Sequence, residues 1–110
     1  MRFYIAGPIT HDPDYKGKFA AVERVLKRNG FETANPANSG APEEAPYRDY
    51  IDRGLHMLMR CDAICMLPGY ERSHGAMLEL KYAETVDIPR IYAEQDLTGA
   101  WHVFGLSEFK

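Results

Sequence analysis

At 110 residues, with 45% hydrophobic and 26% charged side chains, the chain has the size and composition of a single globular domain (residues 1–110) with one core. A net charge of −3, with Lys and Arg scattered, gives no electrostatic footing for polymeric nucleic acid or an anionic membrane. No apolar run approaches the ~20 residues a membrane span needs, and Gly7-Pro8 interrupts the N-terminal apolar run too early for a signal peptide. Two cysteines, Cys61 and Cys65, are too few for a disulfide scaffold and lack CxxC spacing, so they read as reduced, mostly buried thiols of a cytoplasmic protein.

In chain order, Arg2 to Gly7 (RFYIAG) is a short β-rich run closed by Gly-Pro, a buried strand. From Asp14 to Asn29, Phe19, Val22, Val25 and Leu26 share one helical face, and Gly30 is a natural stop. Phe31 to Pro36 forms a second short strand, and the Gly-, Pro- and acid-rich stretch from Ala37 to Pro46 is loop. Tyr47 to Arg60 is helical, with Ile51, Leu55, Leu58 and Met59 expected inward and His56 on the inner or flanking face as a structural histidine. Asp62 to Gly69 is a third strand, apolar on both faces as in a covered parallel sheet. Tyr70 to Thr85 carries a helix with Ala76, Leu80 and Ala83 on one stripe, widened by Met77 and Leu78. Pro89 to Glu94 is a fourth strand, and the tail around Trp101, Val103 and Phe104 adds a fifth or caps the edge.

Alternating strands and helices predict an α/β, flavodoxin-like (Rossmann-like) three-layer sandwich around a four- to five-stranded parallel sheet. Ligands of such sheets sit beyond the carboxyl ends of the strands, where strand order reverses. With the first strand beside the third, Gly7 to Thr10 wall one side of that crevice and Pro68 to Gly75 the other. Glu79 lies in the most apolar part of its helix, so it is either a snorkelling surface charge or a carboxylate held in the crevice. Ser73 is an N-cap candidate; with Gly75 it also makes a helix N-terminus suited to an anion such as phosphate. Gly7 marks close ligand approach or a tight strand-to-helix turn. His11 and His74 lie on the two crevice loops, within reach of a ligand. The four histidines lack metal-ligand spacing, so neither metal nor cofactor is expected. There is no GxGxxG fingerprint, P-loop or nucleophile elbow.

Three segments, YIAGPIT, CDAICMLPG and SHGAMLELKYA, together resemble the nucleoside 2-deoxyribosyltransferase-like superfamily over residues 3 to about 93. The resemblance implies a flavodoxin-like sheet and a nucleophile at Glu79 that attacks C1′ of a nucleoside sugar, expels the base and forms a glycosyl-enzyme. It also places Tyr4, Gly7, Tyr70 and Ser73 around the substrate, and the crevice loops add Pro8, Ile9, Thr10, His74 and Gly75 to the expected binding set. Where deoxyribosyltransferases carry Asp six residues before the nucleophile, this chain has Ser73, as the 2′-deoxynucleoside 5′-phosphate N-hydrolases do. A neutral hydroxyl there tolerates a phosphate that a carboxylate would repel. One departure concerns the acid: the Asp thought to protonate the leaving base falls on Gly54 here. Asp52 is about 200° round the helix from that position and cannot simply replace it; the candidate acids are Asp52, His11 and His74. In the other departure, the usual Trp of the compact bacterial and phage branch is Tyr70.

The leading expectation is therefore an N-glycosidase of a (2′-deoxy)nucleoside 5′-monophosphate. The alternatives are a nucleoside 2-deoxyribosyltransferase, a non-catalytic nucleotide-binding or sensing module, and an NAD-related glycohydrolase. The partner is a small nucleotide or nucleoside. Family likeness implies a homodimer or larger assembly, formed through the aromatic tail around Trp101 or the helix from Tyr47.

Overall fold

The computed structural model describes residues 1–38 and 46–109, so most of the stretch expected as loop, residues 39–45, lies outside the described residues. Strand β1 (Arg2–Ala6) is buried from Phe3 onward, and β3 (Ala63–Met66) is buried throughout. The two pair in parallel, Tyr4 opposite Ile64. With β2 (Glu32–Ala34), β4 (Arg90–Gln95) and β5 (Trp101–Phe104) they form one sheet in the order β2-β1-β3-β4-β5. The first four strands are parallel, and β5 runs antiparallel to β4. The tail thus adds a strand, in the opposite sense to the others. A parallel return needs a crossover of about a dozen residues, whereas the connection here is a tight turn. Asp96 Oδ1 accepts the N–H groups of Thr98 (2.8 Å) and Ala100 (3.1 Å), and Gly99 takes the left-handed φ of +90° that the turn demands.

Period-two alternation gives each face of the sheet its own core. Phe3, Ile5, Ala63 and Cys65 face helix α1 (Tyr15–Arg28), meeting its Phe19, Val22 and Leu26, with Leu106 completing the cluster. Tyr4, Ala6, Ile64 and Met66 face α2 (Tyr47–Leu58) and α3 (His74–Thr85), meeting Leu58, Ala76, Leu80 and Ala83. Helix α1 ends as expected at Gly30, whose φ of +88° lets the N–H groups of Gly30 and Phe31 reach back to Lys27 and Leu26. Three layers result.

Two details of the expected faces differ. On α2, Leu58 is buried and Ile51 and Leu55 are half-buried, but Met59 is exposed, because it sits one step of about 100° round from Leu58 at the helix end. His56 is exposed too, its Nδ1 lying 2.8 Å from the Asp52 carbonyl oxygen one turn back. On α3, Met77 and Leu78 face outward, and Glu79 completes the buried stripe with Ala76, Leu80 and Ala83.

The strand order reverses between β1 and β3, so the crevice opens beyond Ala6 and Met66, as the flavodoxin-like layout requires. Both thiols are buried and unpaired. Among the described residues no helix is long and apolar enough to cross a membrane.

Candidate active site

The local sequence before α3 builds one wall of the crevice. Gly69, at φ +84°, turns the chain into the short 3-10 segment Tyr70–Arg72. Ser73 then adopts an extended backbone and its Oγ accepts the Ala76 N–H at 3.2 Å. That cap is worth about 1 kcal/mol, and it leaves the hydroxyl hydrogen for another acceptor.

Glu79 follows from the helical repeat. Six residues beyond the cap it joins the buried stripe, with only 8% of its surface exposed. Its carboxylate meets the side chain of Tyr4, a fully buried residue of β1 on the same sheet face, whose hydroxyl donates to Glu79 Oε2. Burial pushes the Glu79 carboxyl up to about 7, against the opposing pull of the Tyr4 hydrogen bond. Tyr4 moves far upward, by burial first and then by the neighbouring carboxylate charge, so the phenol keeps its proton and the pair shares one direction of donation.

These two groups form the floor of a cavity of about 370 Å³. Tyr15 and Phe19 of α1 and Tyr47 and Tyr50 of α2 give it aromatic walls, and Gly7, Ile9 and Thr10 of the first crevice loop line its mouth. Ser73, Gly75 and Ala76 come from the start of α3, and Arg53 and Gly54 from α2. A second hollow of about 730 Å³ shares Thr10, Tyr47 and Ser73 with the first. It carries His11, Lys18, Arg72 and His74, and one acid, Asp12, whose Oδ2 lies 2.9 Å from Lys18 Nζ. The Lys18 hydrogen bond holds the Asp12 carboxyl below its ordinary range. An apolar, acid-floored chamber thus adjoins a polar one that carries Arg72 and the Lys18–Asp12 pair.

Space, more than ligand approach, explains three glycines. A Cβ on Gly7 would stand 2.8 Å from Leu67 Cβ, and one on Gly75 2.9 Å from Ile51 Cδ1. On Gly54 it would overlap Glu79 Oε2 and stand 2.7 Å from the Tyr4 hydroxyl. A mid-helix glycine costs roughly 1 kcal/mol relative to alanine. Here it clears room for the acid.

Of the residues singled out from sequence, Tyr4, Gly7, Ile9, Thr10, Ser73, Gly75 and Glu79 surround the inner cavity, and Pro8, His11 and His74 line the outer hollow. Tyr70 and Asp52 line neither. The Tyr70 ring packs on Tyr92 at 5.9 Å between centroids. Asp52 points outward and pairs with His56 at 3.5 Å, because α2 turns Gly54, not Asp52, toward Glu79. Sequence reasoning missed Tyr15, Tyr47, Tyr50, Arg53 and Lys18 as wall residues, while Arg72 falls inside the expected Pro68–Gly75 wall. A usable signal existed for α2, where Tyr47, Tyr50 and Gly54 recur at three- and four-residue spacing. Among the described residues no three His, Cys, Asp or Glu side chains are grouped to hold a metal ion.

Comparison with known proteins adds a family and a fold. Residues 1–92 match the family described as "Domain of unknown function (DUF4406)". No curated protein matches the chain. Among solved structures, a 2-desoxiribosyltransferase from Leishmania mexicana superposes with a TM-score of 0.66 at 23% identity, covering 86% of this chain and 65% of that one. A 2-deoxyribosyltransferase from the psychrotolerant bacterium Bacillus psychrosaccharolyticus gives 0.67 at 17% identity, covering 84% and 71%. The chain therefore spans a little under two thirds of the Leishmania protein, and at these identities the likeness is one of fold. The chain belongs to the DUF4406 family and has the fold of the nucleoside 2-deoxyribosyltransferase-like superfamily.

Proposed function

We propose that this protein is an N-glycosidase that cleaves the base–sugar bond of a (2′-deoxy)nucleoside 5′-monophosphate through a covalent glycosyl-Glu79 intermediate. One observation carries the reading: a buried carboxylate floors an aromatic chamber that shares Thr10, Tyr47 and Ser73 with a hollow bearing Lys18 and Arg72. The aromatic walls suit a base, and the cationic hollow at the start of α3 suits a phosphate. The sugar between them brings C1′ to Glu79. Attack by Glu79 forms the glycosyl ester as the base leaves; water then opens the ester with net retention. Tyr4 holds the carboxylate in place and offsets part of its burial. With Cys61 and Cys65 buried and unpaired, a reducing cytoplasmic location fits this reading.

The transferase reading is favoured by the names of the two fold relatives, both 2-deoxyribosyltransferases. It differs in one step: a second base, in place of water, opens the glycosyl ester. Self-association belongs to both readings, supported by Tyr47, Met77 and Leu78 standing exposed on α2 and α3. A dilute sample that sediments purely as monomer would contradict it.

The test is incubation with a panel of ribo- and deoxynucleosides and their 5′-monophosphates, with chromatography for free base. Release from monophosphates in excess of nucleosides is expected, and exchange on adding a second free base would identify the transferase. No release from any substrate, or equal release by Glu79→Ala, would end the enzymatic reading. Thermal stabilisation without turnover would then identify a binding module.

A further inference from the structure

We infer that the inner chamber selects a cationic base: among nucleoside 5′-monophosphates, those it cleaves best carry a positively charged ring, such as an N-substituted pyridinium or an N7-alkylated purine. The inference rests on the glycosidase reading of Glu79 and names the substrate class of that same site.

Its ground is what the walls and floor of the chamber are made of. Helix α1 packs on one face of the sheet and α2 on the other, so Tyr15 and Phe19 reach the chamber from one side and Tyr47 and Tyr50 from the other. The face of an aromatic ring attracts a cation within about 6 Å of its centre. The floor adds the Glu79 carboxylate, only 8% exposed, with the Tyr4 hydroxyl bonded to it. Aromatic walls over an acid suit a flat cation. Arg53 also lines the chamber, but it is exposed on α2 and already partnered.

Charge points the same way. Burial holds the Glu79 carboxyl near 7, against the pull of the Tyr4 hydrogen bond, so near neutral pH the free protein carries it partly protonated. A neutral base shuts out water and opposes ionisation further, whereas a cationic base favours the carboxylate that must attack.

The reaction then removes charge from a water-poor chamber. The Glu79 Oε–C1′ bond forms as the C1′–N bond breaks, and the electron pair passes to the ring nitrogen and cancels the positive charge of the base. Carboxylate and cation become a neutral ester and a neutral base, a change that apolar surroundings favour. In the second step a water oxygen bonds to C1′, the ester oxygen returns to Glu79 as carboxylate, and the proton of that water passes to solvent. Each turnover of a cationic substrate thus releases one proton.

The test uses the full chain with nicotinamide mononucleotide and with a matched pair, 7-methylguanosine and guanosine 5′-monophosphates. Free base is measured by chromatography, and each kcat/KM is divided by the uncatalysed rate of the same bond. On that scale the methylated purine should exceed guanosine by roughly tenfold or more, as a neighbouring opposite charge shifts a carboxyl by a unit or more. Binding is read apart from turnover with 1-methylnicotinamide and its neutral isostere 3-methylbenzamide. By calorimetry the cation should bind the tighter of the two, with part of a proton released near pH 7, and Glu79→Gln should lose most of that preference. Tyr15→Leu should weaken the cation roughly 2- to 5-fold, the scale of one cation–π contact at a partly exposed site, while Tyr15→Phe keeps it. Equal corrected rates for the matched pair, or equal binding of cation and isostere, would overturn the inference and leave the glycosidase reading intact. Wild-type protein that releases no base from any nucleotide overturns both.

Discussion

Glu79→Gln is expected to abolish base release, by about 10⁴-fold or more on the scale of lost nucleophiles, and yet to stabilise the fold at alkaline pH. The carboxyl sits near 7 in the folded protein, because burial penalises its charged form, against an ordinary value of 4.5. The native state therefore binds this proton more tightly than the unfolded chain does. From about pH 4.5 to about 7 the unfolded state has lost the proton and the folded state keeps it, so wild-type stability falls across that window and levels off above it. The full cost of ionising the buried group is about 3 kcal/mol, from roughly 1.4 kcal/mol per pKa unit. Glutamine escapes that cost, retains an oxygen for the Tyr4 hydroxyl and fills the same volume. Urea melts of the two proteins should coincide near the acid end of the window and diverge toward its upper end, with the variant the more stable. A variant that is less stable at every pH would make Glu79 a structural residue and remove the strained-carboxylate argument.

Gly54→Asp, which restores the acid that the sequence resemblance leads one to expect, should inactivate the protein. Its Cβ overlaps the place of Glu79 Oε2 and crowds the Tyr4 hydroxyl. The Tyr4 ring is locked in the core, so Glu79 must yield. A displacement of about 1 Å at a nucleophile can cost 10²-fold. A second carboxylate at this range also opposes ionisation of the first, which moves the acid limb of the pH profile above its wild-type position near 7. Gly54→Ala separates the two effects. It gains about 1 kcal/mol in helix preference against an overpacking cost of about 1–3 kcal/mol, so it loses no more than about 2 kcal/mol of stability while its kcat falls roughly 10²-fold. Comparing kcat and melting temperature for both variants checks this. An active Gly54→Asp protein would contradict the close approach of α2 to the Glu79 carboxylate.

The layered fold was legible because its signals are periodic and local. Phe3 and Ile5 against Tyr4 and Ala6, the stripe Phe19–Val22–Val25–Leu26, and the stop at Gly30 each state their own geometry. The sense of β5 was less so, since only the five-residue connection decides it. Met59, Met77 and Leu78 were placed inward because apolarity was read as burial, whereas helical angle puts them outside. The acid floor of the crevice was legible from Glu79 standing on an apolar stripe. The aromatic walls were legible only as a stripe on α2, through Tyr47, Tyr50 and Gly54; that Tyr15 and Phe19 of α1 stand on the same cavity is something no spacing within one segment reveals. Gly54 is the instructive case: in sequence it is a missing acid, and in space it is the clearance that lets Glu79 and Tyr4 meet.

The most direct measurement is covalent trapping with a 2′-fluoro-2′-deoxyarabinonucleoside 5′-monophosphate. The electron-withdrawing fluorine disfavours the oxocarbenium-like transition state and slows both formation and hydrolysis of a glycosyl-enzyme. Intact-mass analysis should show one sugar-phosphate added per chain, and peptide mapping should locate it on Glu79, with no adduct on Glu79→Gln. Base release from the natural substrate with inversion at C1′, or an adduct that persists in Glu79→Gln, would contradict the assignment of Glu79 as nucleophile.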